Sequence, residues 1–288
     1  MNVVLVGTDG SDSATSAVAW AAEEASRRGL PLRVLHAVAP WLYDTPVDPR
    51  FATVRTWLLS TGGEVVDAAV AAARERDPAV VVEGELVPGP AARALLGRAD
   101  DAAMIVLGGH GTGPATGLLL GSTTLQVVSH ARVPAIVVRG LEPEVRREVA
   151  VGVDTVTAGE PSIGFAFEEA TLRGARLRVV HVWSHPASTG PGDMQPLVYD
   201  PQVVAGEELR RLEESLVAWR DKFPTVDVAS EVVHGRPARV LAGASAQADL
   251  LVVGTRGRGG FVGLLLGSVS HALLHRAHCP LAVVPTAP

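Results

Sequence analysis

Short, continuous apolar runs alternate along the chain with longer segments of helical composition. In the first half, residues 3–8, 32–38, 80–87, 104–107 and 135–138 read as strands. Helices are predicted between them at 14–28, 53–76, 91–98 and 123–130, the first of them stopped by Gly29. Apolar runs without polar alternation belong to strands buried on both faces. The pattern therefore predicts an α/β fold, a parallel sheet covered by helices on each side.

The same order returns from 148 to 284, because the second half repeats the first. Residues 104–138 align without gaps to 250–284. Identities fall at Gly108/Gly254, Gly111/Gly257 and Gly113/Gly259, and throughout 117–122 against 263–268. Further upstream the offset changes by one residue, and Gly7, Asp9 and His36 match Gly152, Asp154 and His181. Two tandem domains are expected, at 1–140 and 146–288, joined by a linker near 140–147.

Composition narrows the function. A chain of 288 residues suits two domains, and 47% hydrophobic with 19% charged residues supplies a large core. The single cysteine, Cys279, excludes an internal disulfide framework and a cysteine-rich metal cage. Among 25 basic residues only Lys222 is a lysine, and no glycine precedes it in its segment. A P-loop NTPase or a protein kinase needs a lysine on its phosphates, so both classes are excluded. The net charge of −6, without a basic tail, argues against nucleic acid or an anionic membrane as partner. No apolar run reaches the roughly 18–20 residues of a membrane helix. The segment MNVVLVGTDG lacks a signal-peptide pattern, and a cytoplasmic location is expected.

Ligands of open α/β sheets bind beyond the carboxyl ends of the strands, which directs attention to the loops after the first and fourth strands. The loop after strand four runs Gly108-Gly109-His110-Gly111, then nine residues, then Gly121-Ser122. Its copy runs Gly254-Thr255-Arg256-Gly257, nine residues, then Gly267-Ser268. Such glycines let amides approach an anion, and Ser122 and Ser268 stand where a helix starts and its N–H groups are free. With no lysine available, these amides and hydroxyls would carry a phosphate, helped by Arg256, Arg258 or His110. The alternative is a tight strand-to-helix crossover without a ligand. Asp9 and Asp154 end the first strand of each copy. Each is either a carboxylate for a ribose, an adenine edge or a phosphate-bound metal, or a helix N-cap; the sequence leaves both open.

The G-x2-G-x9-G-S loop, with Val-Gly-x-Asp at strand one and Leu-His-Ala-Val or Val-His-Val-Trp at strand two, resembles the universal stress protein family in two tandem copies. The resemblance implies a five-stranded parallel Rossmann-like sheet (adenine nucleotide alpha hydrolase-like) in each copy, and ATP as ligand with Mg2+ as its candidate companion. It implies phosphate and ribose contacts at Gly108, Gly111, Gly121, Ser122 and Thr123, and in the second copy at Gly254, Gly257, Gly267, Ser268 and Val269. Asp9 and Asp154 would hold the adenosine side, with the backbone near Val38 or Trp183 meeting adenine. The last strands, 133–138 and 279–284, are implied as pairing edges within the chain or in a homo-oligomer. Two departures stand out: Asp9-Gly10-Ser11 has no equivalent after Asp154, and Gly235-Arg236-Pro237 has only Gly89-Pro90-Ala91 as its counterpart.

Other constellations are weaker. His271, His275, His278 and Cys279 could suggest a metal, but the intervening residues carry no glutamate and a helix surface is the simpler reading. His36 and His181 read as core histidines. No nucleophile elbow, general base or metal cluster is recognisable, so catalysis is expected to be absent or limited to weak ATP hydrolysis. The expected function is a nucleotide-dependent stress-response or signalling regulator. The alternative is a structural dimerisation module with an empty or single site.

Overall fold

The computed structural model describes residues 2–43, 48–109, 120–139, 145–154, 161–183, 200–255 and 266–286. The chain divides into two compact units, Met1–Glu144 with Cys279–Pro285, and Val145–His278 with Thr286–Pro288. The repeat seen in the sequence and the packed units thus part at the last strand.

In the first unit, β1 (Val3–Gly7), β2 (Leu32–Val38), β3 (Val82–Pro88), β4 (Ala102–Gly108) and β5 (Ala135–Val138) form a parallel sheet in the order β3-β2-β1-β4-β5. The last strand of the chain, β10 (Leu281–Val284), joins this unit antiparallel to β5, with Leu281 opposite Val137 and Val283 opposite Ala135. The implied pairing of 133–138 with 279–284 is therefore made within the chain. With β4 on one side and β10 on the other, β5 offers no free edge to a second chain.

The helices are α1 (Asp12–Arg28), α2 (Ala52–Arg76), α3 (Ala91–Leu96) and α4 (Ser122–His130). The Ser11 hydroxyl caps α1 by accepting from the Ala14 amide at 3.2 Å, and the Gly29 amide closes its other end on Ala25 and Ser26. Both faces of the sheet are covered. Val3, Leu5, Leu35, Ile105 and Leu107 pack with Leu95 of α3 and Val127 of α4, while Val4 and Val6, pointing the other way, are fully buried beside α1. Each such side chain contributes about 1.5–3 kcal/mol through burial. Glu24 is also fully buried on α1, and Arg28 at 2.6 Å and Arg27 at 3.6 Å neutralise it.

The second unit holds β6 (Glu148–Val153), β7 (Arg176–Trp183), β8 (Val228–His234) and β9 (Leu250–Gly254), parallel in the order β9-β6-β7-β8. Its helices are α5 (Pro161–Arg173), α6 (Pro201–Lys222), α7 (Pro237–Ser245) and α8 (Ser268–Arg276). Phe167 of α5 stacks on Trp219 and Phe223 at 5.8 and 5.4 Å, fixing α5 to α6. Glu169, fully buried, meets Arg173 at 2.9 Å, repeating the Glu24–Arg28 pair. No described helix is long and apolar enough to cross a membrane.

Candidate functional site

Strand order reverses between β1 and β4 in the first unit and between β6 and β9 in the second. Val6 pairs with Val106, and Gly152 with Val253. The loops that follow these strands therefore leave the same edge of the sheet side by side. This brings Asp9 next to the Gly108 turn and Asp154 next to the Gly254 turn, at the crevice where open α/β sheets take ligands.

The first of these loops is a tight turn. Thr8 Oγ1 accepts from the Gly10 amide at 3.2 Å, and Asp9 Oδ1 accepts from the Ser11 amide at 3.1 Å. Gly10 holds φ at +79°, the left-handed region that a side chain would disfavour. Ser11 and not Asp9 is the N-cap of α1, so the capping alternative for Asp9 is set aside. Asp154 directly follows β6, which ends at Val153, and is exposed. The segment after it, 155–160, lies outside the described residues.

The turn after strand four is built alike in both units. The Gly121 amide donates to the Gly109 carbonyl at 2.9 Å, and the Gly267 amide donates to the Thr255 carbonyl at 2.7 Å. These bonds bring the start of α4 and of α8 back against the end of the preceding strand. Gly121 and Gly267 occupy the N-cap positions, and neither helix has a side-chain cap. The first helical bonds run from Leu125 to Gly121 and from His271 to Gly267. The amides of Ser122, Thr123 and Thr124, and of Ser268, Val269 and Ser270, precede those bonds and have no acceptor within their helix. Ser122 and Ser268 are exposed at the first helical position, with Thr123 and Val269 half-buried behind them. Gly111 and Gly257 lie outside the described residues, as do His110, Arg256 and Arg258.

Gly108 has a packing reason of its own. A Cβ there would lie 2.6 Å from Ser13 Oγ and 2.7 Å from the Ser13 carbonyl carbon and oxygen. The first turn of α1 thus occupies the space beside Gly108, and the glycine is required before any ligand is considered. Val38 ends β2, and its carbonyl accepts from the Gly89 amide at 2.8 Å. Trp183 ends β7, its carbonyl accepts from the Gly235 amide at 3.0 Å, and its ring centre lies 4.6 Å from that of His234.

Three features of the site were not read from the sequence. Thr124 Oγ1 donates to the Gly108 carbonyl at 2.8 Å, and Ser270 Oγ donates to the Gly254 carbonyl at 2.9 Å. These hydroxyls latch the helix to the strand end in both copies; Thr opposite Ser at one alignment position was the available signal. His36 and His181 are the second feature. Their Nδ1 atoms donate to the carbonyls of Thr8 at 2.8 Å and Val153 at 3.1 Å, the residues just before the two aspartates. His181 Nε2 also stands 3.6 Å from Glu208. The third is Arg139, directly after β5, whose stem folds against Gly109. A Cβ on that glycine would lie 3.3 Å from Arg139 Cγ, and burial holds the guanidinium below its ordinary pKa. Around the helix pair His271 and His275, whose ring centres are 5.2 Å apart, no group of three or more metal-ligating side chains occurs among the described residues.

A sequence model of the universal stress protein family matches residues 1–139 and again 146–285. The chain belongs to the universal stress protein family. A universal stress protein of Mycolicibacterium smegmatis is 35% identical over 289 residues, covering 98% of this chain and 96% of the relative. One from Mycobacterium tuberculosis is 36% identical over 288 residues, covering 97% and 96%. The crystal structure of a universal stress protein from Archaeoglobus fulgidus has the same fold, with a TM-score of 0.71 at 19% identity and 99% of each chain covered. As in the expected α/β class, two universal stress protein domains follow one another, each on a mostly parallel sheet flanked by helices.

Proposed function

We propose that this universal stress protein binds ATP at the strand crossover of each copy and that occupancy, rather than turnover, is its output. The observation that carries this reading is the uncapped helix start held against a glycine turn, built twice, beside a strand-end carboxylate. Three amides without an acceptor in their own helix, an exposed serine hydroxyl and the positive end of a helix suit a polyphosphate. The donor set fits the phosphates without a lysine. Asp9, just after β1, would take the sugar side, and Val38 and Trp183 would border the base side. Mg2+ would travel with the triphosphate. ATP supplies no chemistry in this reading; its presence or absence is the signal that a stress-response partner reads. A homo-oligomer, where one forms, would use surfaces other than the edges of β5.

Acid extraction of the purified protein, followed by nucleotide analysis, is the direct test. Near two equivalents of ATP per chain are expected for two working sites, and near one for the first copy alone. Gly121→Asp sets a carboxylate against the phosphates and abolishes calorimetric ATP binding at the first site; Gly267→Asp does the same at the second. Unchanged affinity in either variant counts against that site. A second reading, a module whose glycine turns serve the crossover alone, is favoured by one observation: Ser13 already accounts for Gly108. Nucleotide-free protein with flat calorimetric traces would select it.

A further inference from the structure

We propose that Asp249 and Arg147 form a strained clasp where the chain enters the second unit, a two-state joint that decides where the connection between the copies ends and the sheet begins. The proposal is independent of the nucleotide reading.

Arg147 is the only non-glycine residue with a positive φ among the described residues, at 55°. That conformation brings Cβ against the following carbonyl oxygen and persists only where surrounding bonds impose it. Here one side chain supplies them. Asp249, just before β9, accepts from the Arg146 amide through Oδ1 at 2.6 Å and from the Glu148 amide through Oδ2 at 3.2 Å. In an extended chain those two amides would stand roughly 7 Å apart, too far for the two oxygens of one carboxylate. The left-handed turn at Arg147 draws them together, so the carboxylate and the strain hold each other in place. The Asp249 amide donates to the Glu148 carbonyl at 2.7 Å, and the Arg176 amide donates to the Arg147 carbonyl at 2.9 Å. The openings of β9 and β7 thus both grip the point where β6 begins. Val145, Arg146 and Arg147 are exposed, so burial contributes little there and the charge-assisted bonds dominate.

The first copy does not repeat the clasp at this position. Leu250 corresponds to Met104, so Asp249 corresponds to Ala103, which has no carboxylate. The ladder slips at that alanine: Val3 faces Ala102, whereas Val4 faces Met104. In the second copy Val149 faces Leu250 and the register then runs on without a slip. The clasp therefore belongs to the copy whose first strand follows the connection from the other repeat. Closed, it pins the chain from Arg146 onward. Open, it lets Arg147 relax to an extended conformation, turns the flanking amides to water and moves the boundary into β6.

The full chain is exposed briefly to trypsin under native conditions, and cleavage after Arg146 and Arg147 is followed by mass spectrometry. Asp249→Asn sets an NH2 group where an accepting oxygen stood and is expected to speed cleavage there about tenfold, the loss of one charge-assisted bond. Equal rates in parent and variant overturn the proposal. So does hydrogen exchange that quickens throughout β6 and β9 and not at the clasp alone, which would make Asp249 a general support of the sheet. Arg147→Gly alters only an exposed position and reads the strain by itself. Glycine adopts the left-handed conformation freely, so exchange of the amides at positions 146 and 148 should slow about threefold or more. Unchanged or faster exchange in that variant overturns the proposal, because the joint would then store no strain.

Discussion

The two copies agree beneath their sites and differ along the rim. Both hold a histidine on the carbonyl before the strand-one aspartate, a hydroxyl on the carbonyl of the strand-four glycine, and an uncapped helix closed onto the turn. Both bury a glutamate–arginine pair on the helix after strand one or its equivalent. At the rim, Val38 pairs with Pro88 in one copy, whereas Trp183 meets the ring of His234 in the other. Gly109 beside Arg139 is exchanged for Thr255 bonded to Thr286. Groups whose hydrogen bonds are satisfied inside the protein have few substitutes, since an orphaned buried partner costs about 1–3 kcal/mol. At the rim each copy makes contacts of its own, and there the copies diverge.

The largest test of the shared frame is the buried ion pair. Arg173→Ala removes the cation 2.9 Å from the buried Glu169 carboxylate and should cost about 3 kcal/mol, read as a lower denaturant midpoint of the second unit. Arg28→Ala should cost less, because Glu24 keeps Arg27 at 3.6 Å, whereas Leu172 precedes Arg173. Equal losses would erase that difference between the copies. Next comes Gly108→Ala, expected to destabilise by about 1–3 kcal/mol because the new methyl meets the Ser13 backbone. Gly109→Ala should be milder, since the flexible stem of Arg139 can shift. Thr124→Val and Ser270→Ala should each lose about 1 kcal/mol in thermal melts, and by similar amounts if the latch serves both copies alike.

The smallest effect concerns α6. The Arg220 side chain bonded to Glu213 holds its carboxyl below the usual glutamate range, burial opposing it. A lowered folded-state pKa contributes stability above the ordinary glutamate value, and that contribution is lost as pH falls through the lowered one. Glu213→Gln should therefore lower the second unit's stability slightly near neutrality and leave it unchanged at pH below the lowered pKa, which flattens the acid limb. An unaltered acid limb would show that the exposed pair contributes nothing measurable.

Much of this architecture was legible in the sequence because it rests on local rules. Apolar runs at 3–8 and 104–107 announce the buried strands found at Val3–Gly7 and Ala102–Gly108, and Gly29 marks the end of α1. The turn glycines at 108 and 121 could be located, although the reason for Gly108 could not: Ser13 lies far away in the chain and meets it only through the crossover of α1. Asp9 reads as a cap as readily as a ligand, and only the geometry shows Ser11 capping the helix while Asp9 folds over its own turn. Thr124 and Ser270 escaped notice because a mismatch in letters hid a match in hydroxyl chemistry. Arg139 escaped because one arginine at a strand end carries no pattern, and its relation to Gly109 is set by sheet register alone.

The placement of Leu281–Val284 has a consequence for synthesis. The amino-terminal sheet cannot acquire its outermost antiparallel partner until translation has passed Val284. Until then the ribosome carries a nascent product with Ile136 and Val137 on an uncovered flank, exposed to pairing with a neighbouring polypeptide. A product cut short after residue 278 would keep that sticky flank for its lifetime, so damage at the carboxyl end should surface as aggregation of the part made first.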